Sequence, residues 1–405
     1  MNLQNKTQHI SLFSYLFFAN FLYFFSRMAM SVAAPELIRQ GLTEAEMGVI
    51  LSAFFWGYVI MQIPGGILAQ RFGGKRVLYA SMLLSALLSA FTPLSMKVWV
   101  MSTIRGLTGV AQGPYFPCAT NIVSRISKPE HVARIQGFIL SGAHIGILTA
   151  LPIGAWVIGK YGWASIFYLT ALLSLIWCVL LIVSTRTISI TGSQSKTAIP
   201  WRTLLTDRSN LGLTISYFSH NYAVYFFMAW LPTYLMQVHG FSLLSMGFVA
   251  IIPSFAAFIF VNVSGWLSDF LVKKGMPTTR SRLFLIYAGM GSAALSIALI
   301  PLFPSAFAAV LLITISQAMR SISTPMYWAL TIDLAGSHAG ILASIMNTSG
   351  NFAGVVAPMA SGFIVAYFAS WNMTIYVCSL VLFLGIVVIH QTIGRRRISY
   401  QIAID

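Results

Sequence analysis

Residues 65–76 read GGILAQRFGGKR, and about 200 residues further on, a separation suited to an internal repeat, residues 264–282 read SGWLSDFLVKKGMPTTRSR. Each stretch closes a long apolar run with glycine and opens onto a basic cluster. Glycine lets neighbouring helices approach closely, and lysine or arginine just past a helix end is favourable both to the exposed carbonyls and to an anionic membrane surface. Two copies of one device divide the chain into halves. That is the pattern of a membrane protein built from a repeat, with a ligand site near the midplane between the halves.

Composition supports the membrane reading. Of 405 residues, 58% are hydrophobic and only 8% charged, with 24 Lys+Arg against 8 Asp+Glu for a formal net charge of +16. A soluble domain carries about 25% charged residues, so this inventory does not cover a water-exposed surface. Nucleic-acid binding needs the basic residues gathered on one solvated face, whereas here they lie scattered in short clusters between apolar runs. A spanning helix takes roughly 20 apolar residues, which leaves room for about twelve spans. Apolar runs fall near 11–34, 46–69, 77–95, 98–123, 135–158 and 162–184, then near 209–236, 243–270, 283–303, 306–333, 341–367 and 371–393. The first run is too long for a signal peptide, has only Lys6 before it and is interrupted by Arg27, so it reads as an uncleaved first helix. Cys118, Cys178 and Cys378 fall inside helices and give no disulfide framework.

The positive charges orient the helices. With the N-terminus inside, the cytoplasmic segments hold Lys6; Arg71, Lys75 and Arg76; Arg125, Lys128 and Arg134; Arg186, Lys196, Arg202 and Arg208; Lys273, Lys274, Arg280 and Arg282; and Arg395, Arg396 and Arg397. These are eighteen of the 24; Arg39, Lys97 and Lys160 lie outside, and Arg27, Arg105 and Arg320 lie within helices. The asymmetry places both termini in the cytoplasm and makes the number of spans even. The stretch 185–208, rich in Ser, Thr and basic residues, reads as a cytoplasmic linker between a first six-helix bundle (1–184) and a second (209–393), with a tail at 394–405.

The paired loops resemble the signature loops of the major facilitator superfamily. AFFWGYVIMQIPGGILAQRFGGKR (53–76), RGLTGVAQGPYFPCATNIV (105–123), YFFMAWLPTYL (225–235) and MNTSGNFAGVVAPMASG (346–362) are similar to the anion:cation symporter family within it. That family includes bacterial sugar-acid carriers and the animal sialin and vesicular glutamate carriers. The resemblance spans essentially the whole chain. It implies an all-α fold of twelve transmembrane helices in two pseudo-symmetric bundles, carrying an organic anion by alternating access. It also assigns Gly66, Gln70, Arg71, Gly73, Lys75, Arg76, Gly265 and Asp269 to the conformational loops. The family's acid after the second helix is Gln70 here, whereas the second copy keeps Asp269.

An ionisable side chain inside a membrane costs several kcal/mol unless it faces a cavity or a partner, so the three intrahelical arginines are functional candidates. An arginine fork holds a carboxylate through two parallel charge-assisted hydrogen bonds and stays charged at any relevant pH. Arg27 ends Tyr23-Phe24-Phe25-Ser26-Arg27, where family members read Asn-Tyr-x-Asp-Arg. Arg105 opens the fourth-helix pattern, which in the family reaches a glutamate at the position of Gln112. Two structural alternatives stay open: Arg105 snorkelling at a helix end, and Arg27 bonded to carbonyls near Pro35. In SQAMRSISTPMYWALTID (316–333), Arg320, Thr324, Tyr327 and Trp328 share one helix face. They form either a polar pocket wall or a structural arginine held by carbonyls that Pro325 frees. Tyr58, Gln62, Asn221 and Asn347 are the other expected cavity residues, with Tyr58 and Asn347 matching family positions that contact substrate. Trp230, Pro232 and Tyr234 read as kinking and gating residues of the seventh helix, and Pro114 and Pro117 as bends in the fourth.

Proton coupling needs a group that gains and loses a proton during transport, and the family's coupling acids match Ser26 and Gln112, both neutral here. Three routes remain open. The first is exchange or facilitated flow, which the inside-negative potential biases toward anion efflux by about 2.3 kcal/mol per charge per 100 mV. The second is a histidine replacement, His144 or His220. The third is protonation of the substrate itself. Ala143-His144 stands where sugar-acid carriers have a glutamine, which argues against simple hexonate specificity. The reading is therefore a monomeric, multi-pass carrier of the inner membrane whose partners are a small organic anion, the lipid bilayer and a proton or counter-anion. No cofactor, metal or nucleic acid is expected, and no catalysis. Rival readings are an exporter of the same fold and, from another class, a membrane sensor or membrane-bound enzyme.

The charge asymmetry makes a direct prediction about topology. A Lys97→Cys variant should react with a membrane-impermeant maleimide on intact cells, and a Lys274→Cys variant only after permeabilisation; the reverse pattern would invert the orientation.

Overall fold

In the computed structural model the described residues are 3–126, 129–184, 201–335 and 339–394. Every described segment of length is helical. The helices are α1 (Leu3–Arg39), α2 (Glu44–Phe72), α3 (Gly74–Phe91), α4 (Val98–Gln112), α5 (Tyr115–Ile126), α6 (Pro129–Tyr161), α7 (Ala164–Ser184), α8 (Trp201–Thr206), α9 (Arg208–His239), α10 (Leu243–Val249), α11 (Ile251–Lys273), α12 (Thr278–Leu299), α13 (Ala306–Ala335), α14 (Ala339–Phe368) and α15 (Trp371–Ile389). The twelve apolar runs map onto them in order, the fourth run forming α4 plus α5 and the eighth α10 plus α11.

Ten stretches among the described residues are long and apolar enough to cross a membrane. The two runs that fall short do so for visible reasons. The fourth is cut at Gly113-Pro114, where proline cannot donate to the helical ladder, so each piece is too short alone. The seventh is a single unbroken helix, α9, but Ser216, Ser219, His220, Asn221 and Thr233 lower its apolar content. Pro232 sits inside α9 without ending it.

Local signals explain the helix starts. Thr43 precedes α2 in a capping box: its hydroxyl accepts from the Glu46 amide, and the Glu46 carboxylate accepts from the Thr43 amide at 2.8 Å. Gly73 carries a φ of 86° between α2 and α3, a left-handed value that suits glycine in the first signature loop. In the second loop Gly275 does the same with φ 93°. Beyond it Arg282 forms an ion pair with Asp333 and donates to the Ala329 carbonyl at 2.8 Å, tying α12 to α13.

The chain clusters into two units that do not follow the two sequence halves. The first contains Met1–Lys196, Tyr225–Phe255 and Gly354–Thr374; the second contains Thr197–Val224, Ala256–Ala353 and Ile375–Asp405. The second parts of α9 and α14 thus pack with the N-terminal helices, because contact in space rather than chain order defines a unit.

Within the first unit α1 lies along α6, and α2 along α4. Both contacts are backbone to backbone. A Cβ on Gly142 or Gly146 of α6 would overlap the Phe17 or Phe21 carbonyl of α1. A Cβ on Gly57 of α2 would overlap the Gly106 carbonyl of α4, and one on Gly109 would overlap the Phe54 carbonyl. Without a hydrophobic force between helices in lipid, such close approach is what lets van der Waals attraction hold them. Around α1, α3 and α5 a core of Leu12, Leu16, Tyr23, Met82, Tyr115, Cys118 and Ile122 is closed to solvent. Its polar groups are satisfied: Tyr23 pairs with Ser81 at 2.8 Å, and Tyr115 donates to the Leu16 carbonyl at 2.8 Å.

A second seam in the same unit joins the start of α2 to the later parts of α9 and α14. Gly48 and Gly362 bring α2 and α14 into backbone contact, and Ser52 Oγ donates to the Val355 carbonyl at 2.7 Å. Trp230 Nε1 donates to the Pro358 carbonyl at 3.1 Å, while Gln237 bridges the Glu44 carboxylate at 3.1 Å and Trp371 Nε1 at 3.0 Å. In the second unit α12 packs along α13, again across a glycine, Gly289.

The glycine contact between α2 and α4 can be tested. Gly109→Val should cost about 1–3 kcal/mol or more through overpacking and abolish a monodisperse peak in detergent chromatography. Gly265→Ala, where a methyl meets nothing within 4 Å, should elute as wild type.

Candidate functional site

The first unit holds a small cavity, of about 20 Å³, lined by Arg27, Ser31, Leu51, Phe54, Phe55, Arg105, Tyr225, Met228, Ala229 and Pro358. Backbone contact between α2 and α4 puts Phe54 and Tyr58 beside Arg105, and α1 brings Arg27 to the same rings. The Arg27 guanidinium carbon lies 4.5 Å from the Phe24 ring centre, 5.0 Å from Phe54 and 4.4 Å from Tyr58. Arg105 approaches the same Phe54 ring at 5.1 Å. One phenyl ring therefore faces two cations, each gaining on the order of 0.5–2 kcal/mol from the ring quadrupole.

Hydrogen bonds finish the arrangement. Arg27 Nε donates to Gln112 Oε1 at 3.2 Å, and Gln112 Nε2 donates to Ser85 Oγ at 3.0 Å. Gln112 thus orients Arg27 and spends its own donor on α3. Arg105 is 4% exposed, and its Nε is buried with no hydrogen-bond partner. A buried guanidinium nitrogen without an acceptor is costly, and a ligand oxygen is the group that would satisfy it. Neither structural alternative is what the geometry shows: Arg105 lies inside the bundle rather than at a lipid-facing end, and Arg27 bonds a side chain rather than carbonyls near Pro35.

The acids are elsewhere. Glu36, Glu44, Glu46, Asp269 and Asp333 all lie within about a turn of a helix end, and Asp207 lies between α8 and α9. Glu36 pairs with Arg39 at 2.8 Å; Asp207 accepts from the Ser209 amide at 2.8 Å, capping α9. Among the described residues no carboxylate reaches the cavity.

In the second unit α9 and α13 assemble another polar cluster. Arg320 Nη1 lies 3.1 Å from His220 Nε2, Thr324 Oγ1 lies 3.2 Å from the same nitrogen, and Arg320 Nε donates to Gln317 at 3.1 Å. Arg320 is 6% exposed and held by side chains, not by carbonyls freed at Pro325. Tyr327 is directed away from ligand use, since its hydroxyl pairs with Ser216 at 2.7 Å in a fully closed site. Trp328 is partly exposed and meets Tyr217 edge-on at 6.3 Å.

The remaining expected residues are placed as follows. Tyr58 is buried and stacks on Phe54 at 5.7 Å. Ser26 is buried beside Arg27 in sequence. Gln62 is half-buried one turn beyond Tyr58 on α2. Asn221 Nδ2 donates to the Tyr217 carbonyl at 2.9 Å, and the Asn347 carbonyl accepts from Asn351 at 2.8 Å. His144 Nδ1 lies 3.4 Å from the Leu140 carbonyl of its own helix. Of the loop residues, Gly66 faces Pro117, Arg71 lies over Phe72 at 5.4 Å, and Gly265 has open space around it. Lys75 and Arg76 lie in the first turn of α3, and Asp269 in the last part of α11. The Gln70 side chain lies outside the described residues, as do 185–200 of the linker and 395–405 of the tail.

Sequence reasoning passed over Phe54, Phe24, Ser85 and Tyr217. For Phe54 a signal existed: it precedes Tyr58 by four residues, so both rings share one face of α2. Ser85 had none, because a serine on an apolar helix carries no mark of its partner.

Comparison with known proteins agrees with this architecture. The chain is 31% identical over 392 residues to the "Probable anion transporter 4, chloroplastic" of Oryza sativa subsp. japonica, an alignment covering 92% of this chain and 66% of that protein. It is 29% identical to the hexuronate transporter of Bacillus subtilis, covering 87% of this chain and 86% of that one. A crystal structure of a bacterial homolog to the human lysosomal transporter Spinster, inward-facing and unoccupied, matches with a TM-score of 0.78 at 15% identity over 96% of each chain, which shows the fold. Residues 16–358 match the model of the Major Facilitator Superfamily. With twelve apolar runs, paired glycine–basic loops and arginines buried between them, the chain belongs to the Major Facilitator Superfamily.

Proposed function

We propose that this protein is a secondary carrier of small organic anions, with Arg27 and Arg105 as the principal ligands of the substrate carboxylate. One observation carries the reading: two buried guanidinium groups share the Phe54 ring while no described carboxylate neutralises them. Two like charges in a low-dielectric cavity repel, and a bound anion removes that penalty. Arg27 is oriented through Nε by Gln112, leaving its Nη groups for a ligand, and the unpartnered Nε of Arg105 aims another donor. Tyr58, Gln62 and Ser31 add polar atoms around them.

In the second unit Arg320, beside Thr324, is a further group that can hold a carboxylate. Tyr327 and Trp328 lie on the same helix as Arg320, Asn221 on α9 and Asn347 on α14. A sugar acid or a di- or polycarboxylate suits arginine ligands of this kind, and the relatives named as anion and hexuronate transporters lie in that chemical range. Movement is by alternating access of two six-helix bundles, 1–184 and 209–393, joined by the 185–208 linker. The signature-loop residues Gly66, Gln70, Arg71, Gly73, Lys75, Arg76, Gly265 and Asp269 control the switch. The carrier sits in the inner membrane as a monomer with both termini in the cytoplasm, an orientation supported by the basic residues of those loops.

Two measurements test the site. In proteoliposome counterflow, Arg27→Lys or Arg105→Lys should raise KM for a carboxylate substrate roughly 10- to 100-fold, since a charge-assisted hydrogen bond contributes about 1.5–3 kcal/mol and an ammonium cannot reproduce the fork. Wild-type KM in both variants would remove these arginines from the site. Gln112→Glu installs an internal anion on Arg27 that competes with substrate. Its KM should rise at neutral pH and recover on acidification, and a KM independent of pH would contradict the placement of Gln112 at the ligand.

A further inference from the structure

His220 occupies an unusual setting for a histidine inside a membrane. A guanidinium only donates hydrogen bonds, so the 3.1 Å contact from Arg320 Nη1 makes His220 Nε2 an acceptor and the imidazole neutral, with its proton on Nδ1. Nδ1 is buried and has no hydrogen-bond partner. Tyr217 stacks on the imidazole with ring centres 5.8 Å apart and planes 10° apart, and Tyr327 lies beside both rings, 5.3 Å from the imidazole and 5.2 Å from Tyr217. The ring is therefore fixed with Nε2 toward Arg320 and Thr324, and that nitrogen is where a proton would add.

We propose that His220 carries the coupling proton of this carrier and that Arg320 ties its protonation to the arrival of the substrate anion. This rests on the reading of Arg320 as a group that holds the anion. The exchange of bonds is balanced. A carboxylate arriving at Arg320 takes the Nη1–H that now points at His220, which frees the Nε2 lone pair. A proton from water adds to that lone pair, and the new Nε2–H donates to the carboxylate or to Thr324 Oγ1. The empty cluster carries one positive charge, from Arg320. The cluster loaded with one anion and one proton carries one positive charge as well, so the form that must cross between the two access states is no more highly charged than the empty one. A proton without an anion would put imidazolium against guanidinium in a site closed to solvent. An anion without a proton is allowed, so exchange does not require His220.

The surrounding groups leave this role to His220 alone. On its own helix Tyr217 faces it. From α13 come Arg320 and Tyr327; from α15 Cys378 lies within electrostatic reach of Arg320; and from α12 Tyr287 lies within reach of Tyr327. The titratable residue of α14 is Tyr367, at its far end. Phenols and thiols do not ordinarily change charge near neutral pH, and among the described residues no carboxylate faces the cluster.

The test uses the full chain in liposomes with D-glucuronate, succinate and citrate as probes. Wild type should show counterflow of at least one of them. At clamped zero potential, uptake of that anion should be accelerated by an inward proton gradient and accompanied by acidification of the lumen, read by an entrapped pH dye. His220→Gln keeps an acceptor for Arg320; measured against its own counterflow rate at symmetric pH, it should lose both the acceleration and the acidification. Gradient-driven accumulation by His220→Gln equal to wild type would overturn the proposal. Wild-type counterflow with no proton response would overturn it while leaving the carrier reading intact. Absence of counterflow with all three probes would overturn the carrier reading and this proposal with it. A second readout needs no variant. Trp328, against Tyr217 in the same cluster, reports binding by fluorescence, and apparent affinity for the exchanged anion should fall with rising pH, by up to about tenfold per unit while binding takes up one proton, and level off where the anion binds without it. A flat profile would overturn the proposal even if the variant fails to fold.

Discussion

The contact of bare backbone between α2 and α4 is the constraint from which the site follows. Because Gly57 and Gly109 carry no side chain, the two helices touch at their carbonyls. Phe54, three residues before Gly57, then lies against Arg105 and Arg27, and Tyr58, the next residue after Gly57, against Arg27. A side chain at either glycine would overlap the facing carbonyl and force the helices apart. The aromatic surface stands where, among the described residues, no carboxylate is found. It is a weak substitute, since a ring quadrupole offsets only part of the cost of burying a guanidinium. The cavity is left with positive charge, which is what the proposed anion ligand would offset.

The neutral groups at Ser26 and Gln112 sharpen this picture. An acid at the Gln112 position would pair with Arg27 internally and would have to be protonated before the arginine could release it to a ligand. Glutamine orients the same arginine without competing for its charge, and its other end is fixed by Ser85. On the proposed reading, the neutral residue separates two tasks that one carboxylate would combine, holding the arginine and carrying the proton. The second unit contains a group suited to the task that the first has given up.

Much of the architecture was legible in the sequence because its signals are cumulative. The twelve apolar runs and the two glycine–basic loops each occupy many residues, and bilayer thickness sets the length of the runs; the fourth run reads as a bent helix, whereas the structure breaks it at Gly113-Pro114. The three arginines were equally legible, because a charge inside such a run has few innocuous explanations. Partners were not. Nothing in the spelling of the first and fourth runs says that Arg27 reaches Gln112, 85 positions away, through its Nε. Tyr327 shares a helix face with Arg320 in the sequence, yet its hydroxyl is taken by Ser216. Face-sharing sets direction only to within a broad arc, and neighbouring helices decide whether a residue there meets a ligand or a serine. The grouping of the later parts of α9 and α14 with the N-terminal helices was also invisible, because it depends on the conformation and not on chain order.

The seam between α2 and α14 has a further mechanical consequence. Gly48 and Gly362 place smooth backbone against smooth backbone, fastened by a few bonds such as Ser52 to the Val355 carbonyl and Trp230 to the Pro358 carbonyl. Interlocked side chains would have to surrender and regain rotamer freedom each time such a surface parted. A glycine-faced seam has almost none to surrender, so it behaves like a latch with a low entropic toll: it can be shut firmly by its few hydrogen bonds and released without unpicking a packed core.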